Sequence, residues 1–137
     1  MKNLFGILCL FLVLSTIVFA EDTNKVIVET LTKTSLSWDG SELSAYPEGK
    51  PEVTILRITI PQGSELPMHK HLVINAGILL KGELTVITKE NKTLHLKAGS
   101  SIVEVVDKWH YGKNEGEIPA EIIVFYAGVA GTPITIK

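Results

Sequence analysis

Cysteine is almost missing from this chain: the single copy, Cys9, sits inside an apolar N-terminal run. Beyond that run there is no disulfide, no thiolate metal ligand and no cysteine nucleophile, so stability has to come from a packed core. Charge of either sign is scarce in excess, with 13 Lys and Arg against 15 Asp and Glu, and no basic stripe gathers. That excludes the electrostatic footprint of a nucleic-acid-binding protein. After residue 20 no long apolar run remains and no stretch carries a sustained helical period. No phosphate loop, Ser/His/Asp triad or paired glycosidase carboxylates can be read either.

The N-terminal run has an order of its own. Lys2 is a short positive region, Leu4 to Leu14 is apolar, and Val18-Phe19-Ala20 is a small-x-small site just before Glu21 and Asp22. This layout predicts a secretory signal peptide over residues 1–20, hence a periplasmic or secreted protein with no stable membrane span after cleavage. Removing it takes away one lysine, no acidic residue and the cysteine, moving the charge from −2 to −3 and leaving 117 residues. A chain of that length buries roughly two-thirds of its unfolded surface, enough for one domain without staples. The mean hydropathy of +0.27 is inflated by this leader.

Beyond the leader the chain is a series of short runs rich in Val, Ile and Thr. Strands are predicted at Val26–Val28, Val53–Ile60, Ile78–Leu80, Leu84–Thr88, Thr93–Leu96, Ile102–Val106, Glu121–Tyr126 and Ile134–Ile136. Turn residues separate them at spacings of roughly 8–12, the pattern of an all-β sandwich or barrel. Lys81-Gly82-Glu83 breaks two apolar runs, and Glu90-Asn91-Lys92 joins two alternating strands as a hairpin. Residues 21–51 are expected to form an N-terminal arm and first strands, with the irregular, turn-rich part from residue 33 lying over a barrel of residues 52–137.

Histidine is the residue type that carries chemistry. His69-Lys70-His71 places two imidazoles at i and i+2, on one face of a strand and close enough to chelate a divalent transition metal. His110 stands beside a turn and can supply a third ligand. His95, between Leu94 and Leu96, points away from them by alternation and is read as a solvent-facing strand residue. Trp109 and Tyr111, which flank His110, are the aromatics assigned to the rim of a ligand pocket. Leu72, Val73 and Ile74 suggest an apolar wall for that pocket. Arg57, in the run VTILRITI, is read as pointing outward.

The setting of these histidines resembles the cupin superfamily. Gly63, His69, His71, Asn75 and Gly82 fall in the frame of its first motif, G-x5-H-x-H-x3,4-E-x6-G. Gly99, His110 and Asn114 fall in the frame of its second, G-x5-P-x-G-x2-H-x3-N, and sixteen residues separate Gly82 from Gly99. The resemblance covers about Glu52 to Lys137. It implies a single-domain, all-β double-stranded β-helix, the cupin jelly-roll barrel, in which inward side chains of both motifs converge and His69, His71 and His110 meet as metal ligands. It also implies that glycines close turns where a Cβ would clash. Two departures matter. Asn75 stands where the family has a ligating glutamate, so the fourth ligand is Asn75, or else Glu65 or Glu104. Val105 and Asp107 replace the proline and glycine of the second motif.

The cofactor implied is a divalent transition metal, and three histidines suit Fe, Mn, Ni, Cu or Zn alike. The partner implied is a small-molecule ligand, and members of this superfamily commonly form homodimers. The leading expectation is an exported metal-binding barrel acting as an oxygenase or isomerase on a small organic molecule. The alternative is a non-catalytic barrel that carries or senses a ligand, with or without metal. No residue is assigned a catalytic role.

Overall fold

A computed structural model describes residues 24–137; the predicted signal peptide over residues 1–20 lies outside the described residues. Among those described, seven strands form: β1 (Pro51–Ile60), β2 (Ile74–Lys81), β3 (Glu83–Thr88), β4 (Thr93–Lys97), β5 (Ser101–Val103), β6 (His110–Lys113) and β7 (Ala120–Val129). They make two antiparallel sheets, ordered β1-β7-β2-β5 and β4-β3-β6. Residues 64–69 extend the smaller sheet along β6: the Leu66 N–H donates to Gly112 O, and His69 and His110 exchange a pair of backbone hydrogen bonds at 2.9 Å. The all-β fold expected from the residue pattern is the fold found, and it is the jelly roll that the resemblance implied. Among the described residues no helix is long and apolar enough to cross a membrane.

Period-2 alternation explains most of the packing. In β1, Arg57 and Thr59 face out while Ile58 and Ile60 turn in, and Arg57 reaches Glu121 across the sheet at 3.0 Å. In β3 and β4, Leu84, Val86 and Leu96 are buried whereas His95 is exposed and bonds only to the Thr85 hydroxyl at 3.0 Å. The two inner faces meet around Ile60, Leu79, Leu84, Val86, Ile122 and Val124. Each such side chain contributes about 1.5–3 kcal/mol when removed from water.

The predicted turns form as read. Asn91 sits at φ 65 in the β3–β4 hairpin, and Gly82 at φ 73 between β2 and β3. A Cβ on Gly82 would lie 2.9 Å from both Ala120 Cα and Pro119 O, which are backbone atoms that cannot yield. Clash and left-handed backbone act together here, so Gly82→Ala is expected to lower stability by more than about 2 kcal/mol in urea unfolding.

Three expectations are corrected, and one strand is unforeseen. Val26–Val28 forms no strand; its side chains are 86–92% exposed, because no neighbouring strand among the described residues offers hydrogen bonds to that segment. Ile134–Ile136 forms none either, and contributes only an isolated bridge from Ile136 to Lys70. The run Ile102–Val106 is strand only to Val103; one more N–H, that of Glu104, reaches Asn75 O of β2 before Val106 moves over to bridge His71. His110–Lys113, unremarkable in sequence, is strand β6 because both of its edges find partners, β3 on one side and residues 64–69 on the other.

Part of the N-terminal arm docks as a tight loop. Leu36 bridges Glu42, the Trp38 N–H donates to Val103 O, and the Ser37 hydroxyl donates to Glu104 O. Asp39, its side chain 1% exposed, accepts from Lys108 Nζ at 2.6 Å and from the Ser41 N–H and hydroxyl at 2.9 Å. Burial pushes its carboxyl up, but these donors outweigh burial and hold it at about 2. The loop therefore braces the segment 104–110, which carries two groups of the site.

Candidate metal centre

His69, His71 and His110 come together inside the barrel. Their ring centroids are 4.5 to 5.0 Å apart, and one nitrogen of each lies within 4.8 Å of those of the others. A backbone carbonyl sets each ring, a local one for His69 and His110 and a distant one for His71. His69 Nδ1 faces Pro67 O at 2.8 Å, His110 Nδ1 faces Lys108 O at 2.9 Å, and His71 Nδ1 faces Ile134 O at 3.0 Å. A carbonyl can only accept, so each Nδ1 carries the proton and each Nε2 keeps its lone pair, the arrangement found when histidines ligate metals. The pairing of residues 64–69 with β6 puts His69 opposite His110, and i, i+2 spacing brings His71 onto the same face.

Burial tunes these rings toward the neutral form. It lowers the His71 imidazole to about 4, against a partial offset from the Ile134 carbonyl, and the neighbouring rings push the same way. His69 and His110 are also lowered, chiefly by burial. Neutral imidazoles at neutral pH are the form a metal requires.

Two further polar groups face the same space. Asn75, on β2, is 1% exposed; its amide nitrogen donates weakly to Val73 O at 3.3 Å while Oδ1 has no partner. Glu104 lies between β5 and β6 with its side chain 12% exposed, and its Oε2 sits 3.7 Å from His110 Nε2. Burial raises its carboxyl to about 7 even though His69 and the Trp38 indole act to lower it. Asn75 Oδ1, Glu104 Oε2 and His110 Nε2 are all buried without a hydrogen-bond partner. Leaving such atoms unmade costs about 1–3 kcal/mol each, so three together at one spot is an arrangement that a cation relieves. The donor set therefore fits a divalent ion.

The cavity above the histidines has a volume of about 320 Å³. Its walls are aliphatic, as expected, but they come from β1, β3 and β7, through residues such as Ile58, Val86 and Val124, and not from Leu72, Val73 and Ile74. Tyr126 is the aromatic that lines it, edge-on to His71 at 5.3 Å between centroids, with its phenol pushed up to about 12 by burial and by Glu104.

Trp109 and Tyr111 do not line the cavity, which corrects their assignment to the pocket rim. His110 and Gly112 point in, so the residues flanking His110 face the outside of the sheet, and Lys70 Nζ lies 5.6 Å from the Trp109 ring centroid. Glu65 is off the cavity, whereas Asn75 and Glu104 both reach it. Thr135 and Lys137 also line it; nothing in their local sequence marks them, since only the return of the C-terminal segment past Lys70 and His71 brings them there.

Fold and site together define a jelly-roll barrel with a histidine-lined, metal-competent pocket. Residues 56–126 match the cupin domain model, and the chain belongs to that family. Among solved structures, oxalate oxidase in complex with the substrate analogue glycolate is similar, at 26% identity over 61% of this chain and 45% of that one, with a TM-score of 0.53. The DMSP lyase DddQ from Ruegeria pomeroyi shares the fold at 16% identity, 71% and 46% coverage and a TM-score of 0.55. A double-stranded β-helix protein from Klebsiella pneumoniae does so at 18%, 66% and 85%, with a TM-score of 0.54. The chain thus spans less than half the length of the oxalate oxidase and lyase chains. No curated protein matches it.

Proposed function

We propose that this barrel binds one divalent transition metal through His69, His71 and His110, next to Asn75, and acts on a small organic molecule as an oxygenase or isomerase. The convergence of three Nε2 lone pairs, each ring locked by a carbonyl at Nδ1, carries the reading. A divalent ion held there supplies a Lewis acid. The chain's own residues do the rest. Glu104, with its carboxyl near 7, is placed to accept a proton at Oε2 and return it. Asn75 Oδ1 accepts from a hydroxyl of a bound molecule, the Tyr126 phenol donates to an oxygen of it, and the aliphatic walls keep water out. With its leader over residues 1–20, the protein works outside the cytoplasm.

Elemental analysis after purification under native conditions is expected to give about one equivalent of a first-row metal per chain. Less than about a tenth of an equivalent, unchanged by reconstitution, would remove the reading. A non-catalytic carrier or sensor is the second reading, favoured by the neutral Asn75 in the glutamate frame. Oxygen uptake or product formation lost in His69→Ala decides for the enzyme; ligand binding without turnover decides for the carrier.

A further inference from the structure

The cavity is chemically lopsided. Its polar lining, the three histidines with Asn75, Glu104 and the Tyr126 phenol, gathers at one end, where Tyr126 stands against His71 and opposite Asn75 and Glu104 lies beside His110. Thr135 and Lys137 belong to that end too: Thr135 Oγ1 is 3.2 Å from His71 Nδ1, and the Lys137 charge acts on His69. The remaining walls are built from Leu56 and Ile58 of β1, Leu84 and Val86 of β3, and Ile122 and Val124 of β7. Among the described residues no arginine lines the space, and Lys137 is the one lysine that does. A volume of about 320 Å³ is at the lower end of small-molecule pockets and still well above what a two-carbon acid fills.

We propose that the cavity takes a single-headed organic anion, a monocarboxylate with an apolar body, its head at the histidine end and its body along the aliphatic wall of β1, β3 and β7. This rests on the reading of the three histidines as metal ligands. A dication held by three imidazoles at that end draws an anionic head to it. The wall rewards methylenes and has nothing to offer a second head. A distant carboxylate would lose its water against Leu84, Val86 and Val124 and gain no partner.

The test uses cobalt(II)-loaded protein, its uptake first measured by elemental analysis, titrated with acetate, butyrate, hexanoate and adipate under calorimetry and visible absorption. Each added methylene is expected to tighten binding about 3- to 4-fold while it stays in contact with the wall, so that hexanoate exceeds acetate by at least about tenfold. Adipate, of the same length with a second head, is expected to bind at least about tenfold more weakly than hexanoate. Every bound acid should shift the cobalt bands. Affinity that is flat along the series, adipate matching hexanoate, or binding with no band shift overturns the proposal and leaves the metal reading standing. Failure of cobalt to load overturns both. Ile58→Phe, a change on the wall opposite Ile122 and further along β1 and β7 from Tyr126 and His71 than Leu56, is expected to weaken hexanoate at least about fivefold and leave acetate unchanged; an equal effect on both acids counts against wall contact.

Discussion

His71→Ala is expected to weaken zinc or cobalt binding by more than about 100-fold, since even the outer partners of a metal-ligating histidine are worth 10–100-fold. His71 is firmly built in. It is 4% exposed, 5.0 Å from each of the other two rings, edge-on to Tyr126, and held at Nδ1 by Ile134 O and the Thr135 hydroxyl. Competition with a chromophoric chelator measures the loss, and His95→Ala is the internal control, because His95 is exposed on β4 and bonded only to Thr85. A loss of less than about tenfold would mean that His71 is no ligand. Acid should release metal late, since protons compete for His71 only near pH 4 and not at the pH 6.5 of a free imidazole.

Glu104→Gln is expected to stabilise the metal-free barrel by about 3 kcal/mol at pH 8 and to have almost no effect below pH 4.5. The folded carboxyl has its pKa raised from 4.5 to about 7 by burial. Between those values the folded state binds more protons than the unfolded one, so wild-type stability falls as pH rises through that window. At about 1.4 kcal/mol per unit the full cost is about 3 kcal/mol. Glutamine cannot ionise and escapes it. The histidines act on the opposite limb. His71 has its pKa lowered to about 4, so its contribution is complete above pH 6.5 and is lost as pH falls toward 4. Metal-free wild-type protein should therefore be most stable between the two limbs, near pH 5.5 to 6, and the variant should lack the alkaline decline alone. Urea unfolding of chelator-treated protein across pH 4 to 8 measures both. An equal effect of Glu104→Gln at both ends would show that Glu104 is not buried as a carboxyl.

Both predictions concern one cluster, and they separate its parts. The histidines hold lone pairs ready at the cost of acid stability, and Glu104 holds a carboxyl ready at the cost of alkaline stability. A cation held between them would relieve both costs. Stability given up at a site is a common signature of function.

Several features of this protein were legible in residue order alone, because they are local. Alternation with period 2 marks β1, β3 and β4 and sends Arg57 and His95 outward, and it needs only the geometry of one strand. The i, i+2 spacing puts His69 and His71 on one face, and Gly82 marks a turn that no side chain could occupy. The two glycine-and-histidine frames, in order, carried the jelly roll.

What only the tertiary structure decided is everything that depends on register between distant segments. Pairing of residues 64–69 with β6 placed His110 against His69 and turned Trp109 and Tyr111 outward. Glu104, two residues past buried Ile102 and with its N–H still on Asn75 O of β2, enters the cavity while Glu65 stays off it, a choice between two carboxylates that turns in the chain had hidden. Val26–Val28 has the composition of a strand and is not one, because a strand exists only where another backbone meets its hydrogen bonds. Side-chain direction is written into each short run; which runs face each other is set by hydrogen bonds across the whole chain.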